Sequence, residues 1–532
     1  MSQGLNSEKK MTTEHRGYVK NGLSRMIVSA IAFFLQVIFL IMAISMSFSR
    51  AATIVQMIMP FFAAVLVFMI YSRDRTSALK APWMIIIAAF PLAGAVMYLM
   101  IGTDSGTKKM KRRFAVVDEK LDEYLPENKE EARMTCEFSR SIGGIASYVK
   151  KFTNYPIYKN TDVSYYSNAL DGLKDQIKDI QKAESFVFLE YHAIEDAEAF
   201  HMLEDELVKC VGRGVDVRIF YDDIGSIGFI TTDFVGRMEK LGIKCKVFNA
   251  VSPVLNFFFN NRDHRKITVI DGKVGYTGGY NIANEYFEFT HPYGHWKDTG
   301  LRLEGDAVRS LTLTFLEMWY ASEKVRWRDI EKDRGLEVSK FLPEISYRAK
   351  GKALVLPYAD SPFRHEPVAE NVYISMVEKA HEYCYFITPY LIPSDEMIRA
   401  MSLAAKRGID VRIITPGVPD KKITYSVTRS YYSTLTASGV RIFEWTPGFC
   451  HAKMCVIDDR VAVCGTINLD FRSLYHHFEN GCMVVDYEIA RQIREDMDKT
   501  MAESQEVTHK YSTGRRLTRA GQGILRIFAP LF

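Results

Sequence analysis

The chain has 532 residues, which is enough for two or three ordinary domains with hydrophobic cores. Its formal net charge of +4, with 25% charged residues, gives no general attraction to nucleic acid, so no nucleic-acid partner is expected. The eight cysteines form no C-x-x-C pair, which leaves a zinc site without support and suits a reducing compartment.

Three apolar stretches without Asp, Glu, Lys or Arg open the chain: Met26–Phe48, Ala52–Tyr71 and Pro82–Ile101. Each is close to the ~20 residues that a helix needs to cross the hydrocarbon core of a bilayer. Residues 1–107 are therefore predicted to form a membrane region with two or three transmembrane segments. A signal peptide would show one shorter apolar region, and buried helices of a soluble domain are the other alternative.

Basic clusters at residues 16–25, 73–80 and 108–113 border these stretches. The positive-inside rule places all three clusters in the cytoplasm, which three full crossings cannot satisfy. Two crossings and a re-entrant third segment do satisfy it, and Pro91 and Gly94 lie where that segment could break and turn back. We therefore expect a multi-pass protein of the cell membrane whose large C-terminal part faces the cytoplasm.

The remainder of the chain is predicted to contain a duplicated α/β unit. Residues 108–154 are charged and mostly helical, and are interpreted as a connector. Apolar runs of strand length then alternate with amphipathic helical stretches, a pattern typical of α/β proteins. The heptapeptide Arg213–Ile219 recurs almost unchanged as Arg407–Ile413, each time after a strand and a helix. Two copies of one fold are expected, at residues 155–350 and 351–510, followed by a basic and apolar tail at 511–532.

A second, stronger motif follows each copy of the heptapeptide. Its members are His264, Lys266, Asp271, Gly278 and Asn281 in the first half, and His451, Lys453, Asp458, Gly465 and Asn468 in the second. In both halves the steps from one member to the next are two, five, seven and three residues. A lone His-x-Lys arises readily by chance, but a full pattern repeated at one spacing does not.

Strand periodicity predicts how each motif folds. Side chains two apart on a strand share a face, so the histidine and lysine of each half point the same way. Asp271 and Asp458 are predicted to open tight hairpin turns. The return strand then brings the asparagine of each motif back beside its histidine.

This set of side chains suits displacement at a phosphodiester. Lysine and asparagine can hold negative charge on the non-bridging oxygens without a metal, so neither a metal nor a cofactor is expected. One histidine can attack phosphorus, and a second can protonate the leaving alkoxide. Each half supplies only one motif histidine, so both halves are expected to meet around one site in a pseudo-twofold pair.

The duplicated motif resembles the signature of the phospholipase D superfamily, H-x-K-x4-D-x6-G-[S/G/T]-x-N, within residues 155–505. Other segments are similar to the bacterial cardiolipin synthases of that superfamily, namely Phe90-Pro91-x-x-Gly94, Glu190-Tyr191, Trp296-Lys297-Asp298 and Asn468–Ser473. The resemblance implies two tandem phospholipase D-like α/β/α domains forming a pseudo-twofold pair, preceded by transmembrane helices.

The resemblance also implies roles for the site residues. His264 would be the nucleophile that forms a phosphohistidine, and His451 the general acid and then the base. Phosphate would be held by Lys266, Lys453, Asn281 and Asn468. Asp271 and Asp458 belong to the motif as structural members. One carboxylate is expected behind each histidine, for which Asp298 and Glu479 are the candidates. Gly279 stands where the family often has serine.

The implied reaction moves the phosphatidyl group of one phosphatidylglycerol to another, giving cardiolipin and glycerol at the bilayer. Water as acceptor would make the protein a hydrolase, and a nucleic-acid backbone as substrate would make it a nuclease. A non-catalytic membrane scaffold would keep only the fold. Phosphatidylethanolamine or a nucleotide-linked diacylglycerol could also replace one phosphatidylglycerol.

Three further features carry weaker expectations. Glu190, in an apolar strand, is predicted either to contact substrate or to pair with a buried cation. His476 and His477 are expected in surface or packing positions. The tail from Arg515 to Phe532 suits an interfacial segment on anionic lipid, with a helix packed on the domain as the alternative.

Overall fold

The computed structural model describes residues 50–73, 76–102, 108–250, 261–323, 336–512, 523, 525–527 and 529–531. Helices α1 (Arg50–Tyr71), α2 (Ser77–Ala89) and α3 (Pro91–Met97) come first, and a π-helical turn spans Tyr98–Gly102. The predicted membrane segment Met26–Phe48 lies outside the described residues. Within the described ranges, no helix combines the length and apolar character that a bilayer crossing needs.

The helical structure is interrupted between α2 and α3, where the sequence has a proline. Phe90 has φ −133° and ψ 76°, which ends α2, and Pro91 opens α3 where its missing N–H leaves no hydrogen bond unmade. A Cβ atom on Gly94 would lie 2.7 Å from the carbonyl oxygen of Ile86, so α3 folds back closely against α2. The break expected near Pro91 and Gly94 is therefore present.

The predicted connector forms three helices, α4 (Lys108–Asp122), α5 (Lys129–Phe138) and α6 (Arg140–Thr153). Helix α4 buries Phe114, Val117 and Leu121 at helical spacing. The ring of Phe114 stacks on the ring of Phe478, which belongs to the second half of the repeat, with centroids 4.8 Å apart. The connector is thus part of the folded core and not a free linker.

The first half is a seven-stranded mixed sheet in the order β1-β9-β7-β6-β2-β3-β4. Its strands are β1 (Thr161–Tyr166), β2 (Phe186–Tyr191), β3 (Asp216–Asp222), β4 (Lys244–Phe248), β6 (Lys266–Ile270), β7 (Val274–Gly278) and β9 (Gly300–Gly305), and the short strands β5 (Arg262–Asp263) and β8 (His295–Lys297) leave it. Its helices are α7 (Ala169–Gln181), α8 (Glu198–Gly212), α9 (Asp223–Ser226), α10 (Phe234–Lys240) and α11 (Val308–Ala321), with 3-10 turns at Asn284–Phe287 and Ser339–Phe341.

The second half repeats this order, strand for strand, as β10-β17-β16-β15-β11-β12-β13, with β18 added at the edge. Its strands are β10 (Leu354–Asp360), β11 (Tyr383–Ile387), β12 (Asp410–Pro416), β13 (Arg441–Trp445), β14 (Gly448–Cys450), β15 (Met454–Ile457), β16 (Val461–Gly465), β17 (His477–Val485) and β18 (Ser504–Glu506). Its helices are α12 (Val368–Lys379), α13 (Asp395–Lys406), α14 (Lys422–Thr436), α15 (Phe471–Tyr475), α16 (Tyr487–Ala502) and α17 (Thr508–Ser512), before a 3-10 turn at Ala529–Leu531. The predicted duplication is confirmed.

One hydrophobic core joins the two halves. It contains side chains from both sheets together with α4, α11 and α16, while a separate cluster covers the outer face of each sheet. Helix α11 is buried along its whole length from Val308 to Ala321. The halves are therefore packed as one unit, as layered α/β domains that share an interior.

Two short parallel ladders cross between the halves. Strand β5 pairs with β17, which sets Arg262 opposite His477 and Asp263 opposite Phe478. Strand β14 pairs with β8, which sets Gly448, Phe449 and Cys450 opposite His295, Trp296 and Lys297. Strand β5 of the first half corresponds in the repeat to β14 of the second, and each pairs with a strand of the other half. This exchange is what a twofold relation between the halves requires.

The described part of the C-terminal tail packs on the second half. Arg526 donates to the carbonyl oxygen of Ser430 and, over 2.9 Å, to Oγ1 of Thr434, and its guanidinium lies over the ring of Tyr431. At Arg526 the structure thus shows the packed alternative and not the predicted lipid contact. Residues 513–522 lie outside the described ranges.

Candidate active site

The two motif histidines stand at the ends of the crossing ladders. Strand β5 ends one residue before His264, whose backbone N–H donates to the carbonyl oxygen of Phe478 over 2.9 Å. Strand β14 ends one residue before His451, whose N–H donates to the carbonyl oxygen of Lys297 over 2.8 Å. Each histidine is therefore placed by the backbone of the opposite half.

Each imidazole is also held by a carboxylate from the opposite half. Nδ1 of His264 lies 2.9 Å from both carboxylate oxygens of Glu479, and Nδ1 of His451 lies 2.6 Å from Oδ2 of Asp298. All four side chains are buried. An N–H bond from Nδ1 to a carboxylate fixes the tautomer in which Nε2 carries the lone pair, so Nε2 is the ring nitrogen that can act as a base or a nucleophile.

Two hydroxyl groups donate hydrogen bonds to the Glu479 carboxylate. Oγ of Ser473 donates to Oε1 over 2.6 Å, and Oγ1 of Thr466 donates to Oε2. In the first half the residue equivalent to Thr466 is Gly279, and a Cβ atom there would overlap Oδ1 of Asp298. The missing hydroxyl at Gly279 therefore has a steric cause, because Asp298 fills its space.

The motif lysines lie beside the histidines in two different ways. Nζ of Lys266 donates to the backbone carbonyl of His264 over 2.6 Å. Nζ of Lys453 likewise donates to the backbone carbonyl of His451, and it also lies 2.7 Å from Nδ1 and 3.0 Å from Nε2 of the His451 ring. Both side chains are buried, as the shared strand face predicted. Each ammonium group therefore bonds to the backbone of the histidine two residues before it, and that of Lys453 contacts the ring as well.

The asparagines reach the same region. Oδ1 of Asn281 accepts from the backbone N–H of Ala193, and its Nδ2 donates to the hydroxyl of Tyr286 over 2.7 Å. Asn468 is buried, and its Oδ1 has no hydrogen-bond partner among the described residues. A buried amide oxygen without a partner is costly, so Asn468 is poised to accept a hydrogen bond from a further group.

The motif aspartates lie at the other ends of the strands. Asp271 and Gly272 have φ of 52° and 64°, and Asp458 and Asp459 have φ of 53° and 49°, which are the left-handed conformations of a type I′ hairpin turn. Asp271 accepts three backbone N–H bonds from residues 184–186, and Asp458 accepts three from residues 381–383. Their contacts tie each hairpin to the neighbouring strand of its sheet.

Two further histidines surround His264 that sequence reasoning did not assign to the site. The His192 ring lies 5.0 Å from the His264 ring, and the His477 ring lies 5.5 Å from it. Both ring nitrogens of His477 are buried without a hydrogen bond among the described residues. The signal for His477 was its position two residues before Glu479, because alternate residues of one strand share a face.

The surroundings of His451 are aromatic instead. Its ring lies 5.2 Å from Tyr286, 5.5 Å from Trp296 and 5.8 Å from Phe449. Trp296 is the repeat equivalent of His477, since each stands two residues before its carboxylate. The two halves therefore present chemically different walls to a shared ligand.

Glu190 belongs to a buried ionic cluster. Arg265 is fully buried and forms an ion pair with Oε2 of Glu317 over 2.7 Å, while Oε1 of Glu190 lies 3.9 Å from the Arg265 guanidinium. Burial raises the pKa of Glu190 well above its ordinary value. Of the two expectations for Glu190, the structure shows the buried-cation contact.

Burial lowers the pKa values of the two motif histidines and of the two motif lysines. It lowers the pKa of His264 well below its usual value and that of His451 to about 3, in each case helped by the neighbouring lysine. It lowers the pKa of Lys266 to about 7 and that of Lys453 to about 8. A neutral imidazole beside an ammonium is what nucleophilic attack on an anionic phosphorus needs.

His264, His477 and Glu479 bring potential metal-ligand atoms within 4.8 Å of one another. In this cluster Nδ1 of His264 already lies 2.9 Å from the Glu479 carboxylate. The site as a whole offers two imidazoles with fixed tautomers, two ammonium groups and two amides. It can attack a phosphodiester, stabilise the spread charge and protonate an alkoxide.

Family models of known proteins match three parts of the chain. The family model described as "Cardiolipin synthase, PLD-like domain" matches residues 177–304 and again 373–501. The model described as "Phospholipase_D-nuclease N-terminal" matches residues 58–102. The double match falls on the two structural repeats.

Relatives match over most of their length. An uncharacterized protein of Streptococcus mutans is 37% identical over 84% of this chain and 95% of its own. A cardiolipin synthase of Staphylococcus aureus is 30% identical over 88% of this chain and 94% of its own, and cardiolipin synthase 2 of Staphylococcus epidermidis is 29% identical over 88% and 95%.

Among solved structures, phosphatidylserine synthase from Haemophilus influenzae matches with a TM-score of 0.53 and 15% identity, over 73% of this chain and 97% of that one. This likeness concerns the fold. The matches in sequence, among them 30% identity to a cardiolipin synthase over 94% of its length, show that the chain belongs to the phospholipase D-like cardiolipin synthase family.

Proposed function

We propose that this protein joins two phosphatidylglycerol molecules into cardiolipin and releases glycerol. The single observation that carries the proposal is the crossed pair of imidazoles, His264 on Glu479 and His451 on Asp298. This pair supplies a nucleophile and a proton carrier of fixed tautomer in one buried site. The relatives named cardiolipin synthase support phosphatidylglycerol as the substrate.

In the first step Nε2 of His264 attacks phosphorus, and the bond from phosphorus to the headgroup oxygen breaks. His451 gives a proton to that oxygen, and glycerol leaves. Lys453, which lies against the His451 ring in the free protein, moves to the phosphate oxygens, and the substrate anion then favours the protonated ring. The product of the step is a phosphatidyl group on His264.

In the second step the headgroup hydroxyl of another phosphatidylglycerol gives its proton to His451 and attacks phosphorus. The phosphorus–nitrogen bond breaks, His264 is restored, and cardiolipin forms. One phosphodiester replaces another, so the reaction needs no nucleotide. Lys266, Asn281 and Asn468 stabilise the negative charge that spreads over the non-bridging oxygens in both steps.

We also propose that the protein is a multi-pass protein of the cell membrane with its catalytic part on the cytoplasmic side. Helix α1 exposes large apolar side chains, with Phe61 69% exposed and Phe68 70% exposed. Exposed apolar patches of this kind are typical of surfaces that contact lipid or another protein.

The test is to incubate the purified full chain with labelled phosphatidylglycerol in the presence of EDTA and to analyse the lipids by mass spectrometry. Cardiolipin and glycerol should form in equal amounts, and His264→Ala should abolish both. His381→Ala, which changes an exposed histidine at the far end of the second sheet, is the matched control. Full activity in His264→Ala, or phosphatidic acid as the sole product, would refute the proposal.

A further inference from the structure

The proposed reaction places two phosphates near one site. The acceptor lipid carries its own anionic phosphodiester, and only the three glycerol carbons separate that ester from the attacking hydroxyl. When the hydroxyl reaches the phosphatidyl group on His264, the second phosphate must therefore lie within a few ångströms of the reaction centre. A cation next to the motif residues, but outside the motif, is required to hold it.

The cations near the site are mostly occupied. Arg262 is paired with Asp222 over 2.7 Å, and Arg265 with Glu317 over the same distance. Arg472 differs, because its guanidinium makes no hydrogen bond or ion pair within the part of the chain that the structure describes. It is partly buried, and burial lowers its pKa. An arginine that is partly removed from water without a partner is costly unless a ligand supplies one.

Helix α15, which carries Arg472, is fixed to the site on both sides of that residue. Asp470 caps the helix by accepting the N–H of Ser473 over 2.8 Å, and the hydroxyl of Ser473 donates to Glu479 over 2.6 Å. Glu479 in turn holds His264. Arg472 is thus joined to the reacting imidazole through a short chain of buried hydrogen bonds, which fixes its position.

Arg472 and Lys421 lie near the imidazoles of His477 and His192, whose pKa values burial lowers well below the ordinary value, and we call these four residues the cationic rim. The charge of Arg472 helps burial to lower the pKa of His477, and the charge of Lys421 helps to lower that of His192. Lys421 is 66% exposed at the side chain, so the rim reaches solvent.

Two carboxylates lie near Arg472, but both have other donors. Asp222 accepts from Arg262 and from two backbone N–H groups, and Asp470 accepts the N–H of Ser473. Neither is within ion-pair distance of Arg472. The guanidinium of Arg472 therefore keeps its charge without an ion-pair partner among the described residues.

We infer that Arg472 binds the phosphodiester of the acceptor lipid and so selects an anionic lipid headgroup as the acceptor. This inference rests on the proposed function and names a second phosphate subsite within it. A guanidinium can donate two parallel N–H bonds to a phosphate, which would orient the acceptor hydroxyl toward phosphorus. A neutral acceptor such as glycerol has no phosphate to place there.

The test compares two reactions of the full-length protein. Cardiolipin synthesis needs an anionic acceptor, whereas exchange of labelled glycerol into phosphatidylglycerol uses the same donor step with a neutral acceptor. We expect Arg472→Gln to slow cardiolipin synthesis by about 10- to 100-fold at limiting phosphatidylglycerol, the loss typical of a charged hydrogen bond. Glycerol exchange should stay within about threefold of wild type, because the donor step does not use Arg472.

Two variants make the comparison sharper. Arg472→Lys keeps the charge but loses the paired donors, so it should recover part of the cardiolipin activity. Arg460→Gln changes an exposed arginine in the turn after β15, at the far end of the sheet, and should leave both reactions unchanged.

Equal losses in both reactions would overturn the inference, since Arg472 would then serve the donor step or the fold. Unchanged cardiolipin synthesis in Arg472→Gln would overturn it as well. A wild-type protein that performs neither reaction would instead refute the proposed function, and the inference would fall with it.

Discussion

Nδ1 of His264 lies 2.9 Å from Oε1 of Glu479, 215 residues further along the chain and in the other half of the repeat. His451 has the reciprocal relation with Asp298 of the first half. Neither half contains the carboxylate that orients its own histidine, so each half is incomplete without the other.

Neutralising either carboxylate should impair turnover more than binding. Glu479→Gln and Asp298→Asn keep shape but no longer hold the reactive tautomer, so we expect kcat to fall by about 100-fold or more with little change in KM. Steady-state kinetics on phosphatidylglycerol vesicles measures both constants. Glu495→Gln, an exposed change on α16, is the control. A rise in KM at unchanged kcat would contradict the assignment.

Introducing the serine that relatives often carry should harm the first half. The Cβ atom of Gly279→Ser would push the Asp298 carboxylate away from His451, so we expect kcat to fall by about 10-fold or more while the protein stays folded. Gly236→Ser, where a Cβ atom meets open space, is the matched control. Wild-type kcat in Gly279→Ser would show that Asp298 has room to move.

Removing the aspartate of a hairpin turn should lower the free energy of unfolding and leave kcat nearly unchanged. Asp271→Ala leaves three backbone N–H groups without their acceptor, and we expect a loss of about 3 kcal/mol in the free energy of unfolding. Denaturant unfolding measures this loss, and kcat per folded molecule should stay within about threefold. A stable protein with kcat greatly reduced would instead place Asp271 in the chemistry.

The activity should fall on the alkaline side as the lysines lose their charge. Burial lowers the pKa of Lys266 to about 7 and that of Lys453 to about 8, from an ordinary value of 10.5. Only the ammonium form attracts phosphate, so kcat/KM should decline as pH rises through 7 to 8. A bound phosphate anion favours the ammonium, so the decline in kcat should lie at higher pH. The check is a pH series of both constants, and kcat/KM still rising at pH 9 would contradict it.

The sequence predicted the parts of the site that depend on local periodicity. The hairpin turns at Asp271 and Asp458, the repeat itself and the lysines beside the histidines follow from spacing along single strands. The break at Pro91 follows from the chemistry of proline.

What the sequence left open depends on contacts between distant segments. Asp298 and Glu479 were candidates, but which histidine each would serve is decided by strand pairing across the halves. His192 lies at the site because β2 ends beside the hairpin that carries the motif. The motif belongs to another segment of the chain, so its residues give no indication of this contact. Helix α4 was interpreted as a linker because of its charge, although its apolar face packs into the shared core.

The reciprocal ladders that precede His264 and His451 bear on how such a chain can change over generations. A shift in the backbone of one copy is felt at the reactive ring of its sister, so neither copy can drift in register alone. The walls around the two rings, imidazole on one side and aromatic on the other, remain free to diverge. The repeat thus combines a backbone frame common to both copies with ring environments that differ between them.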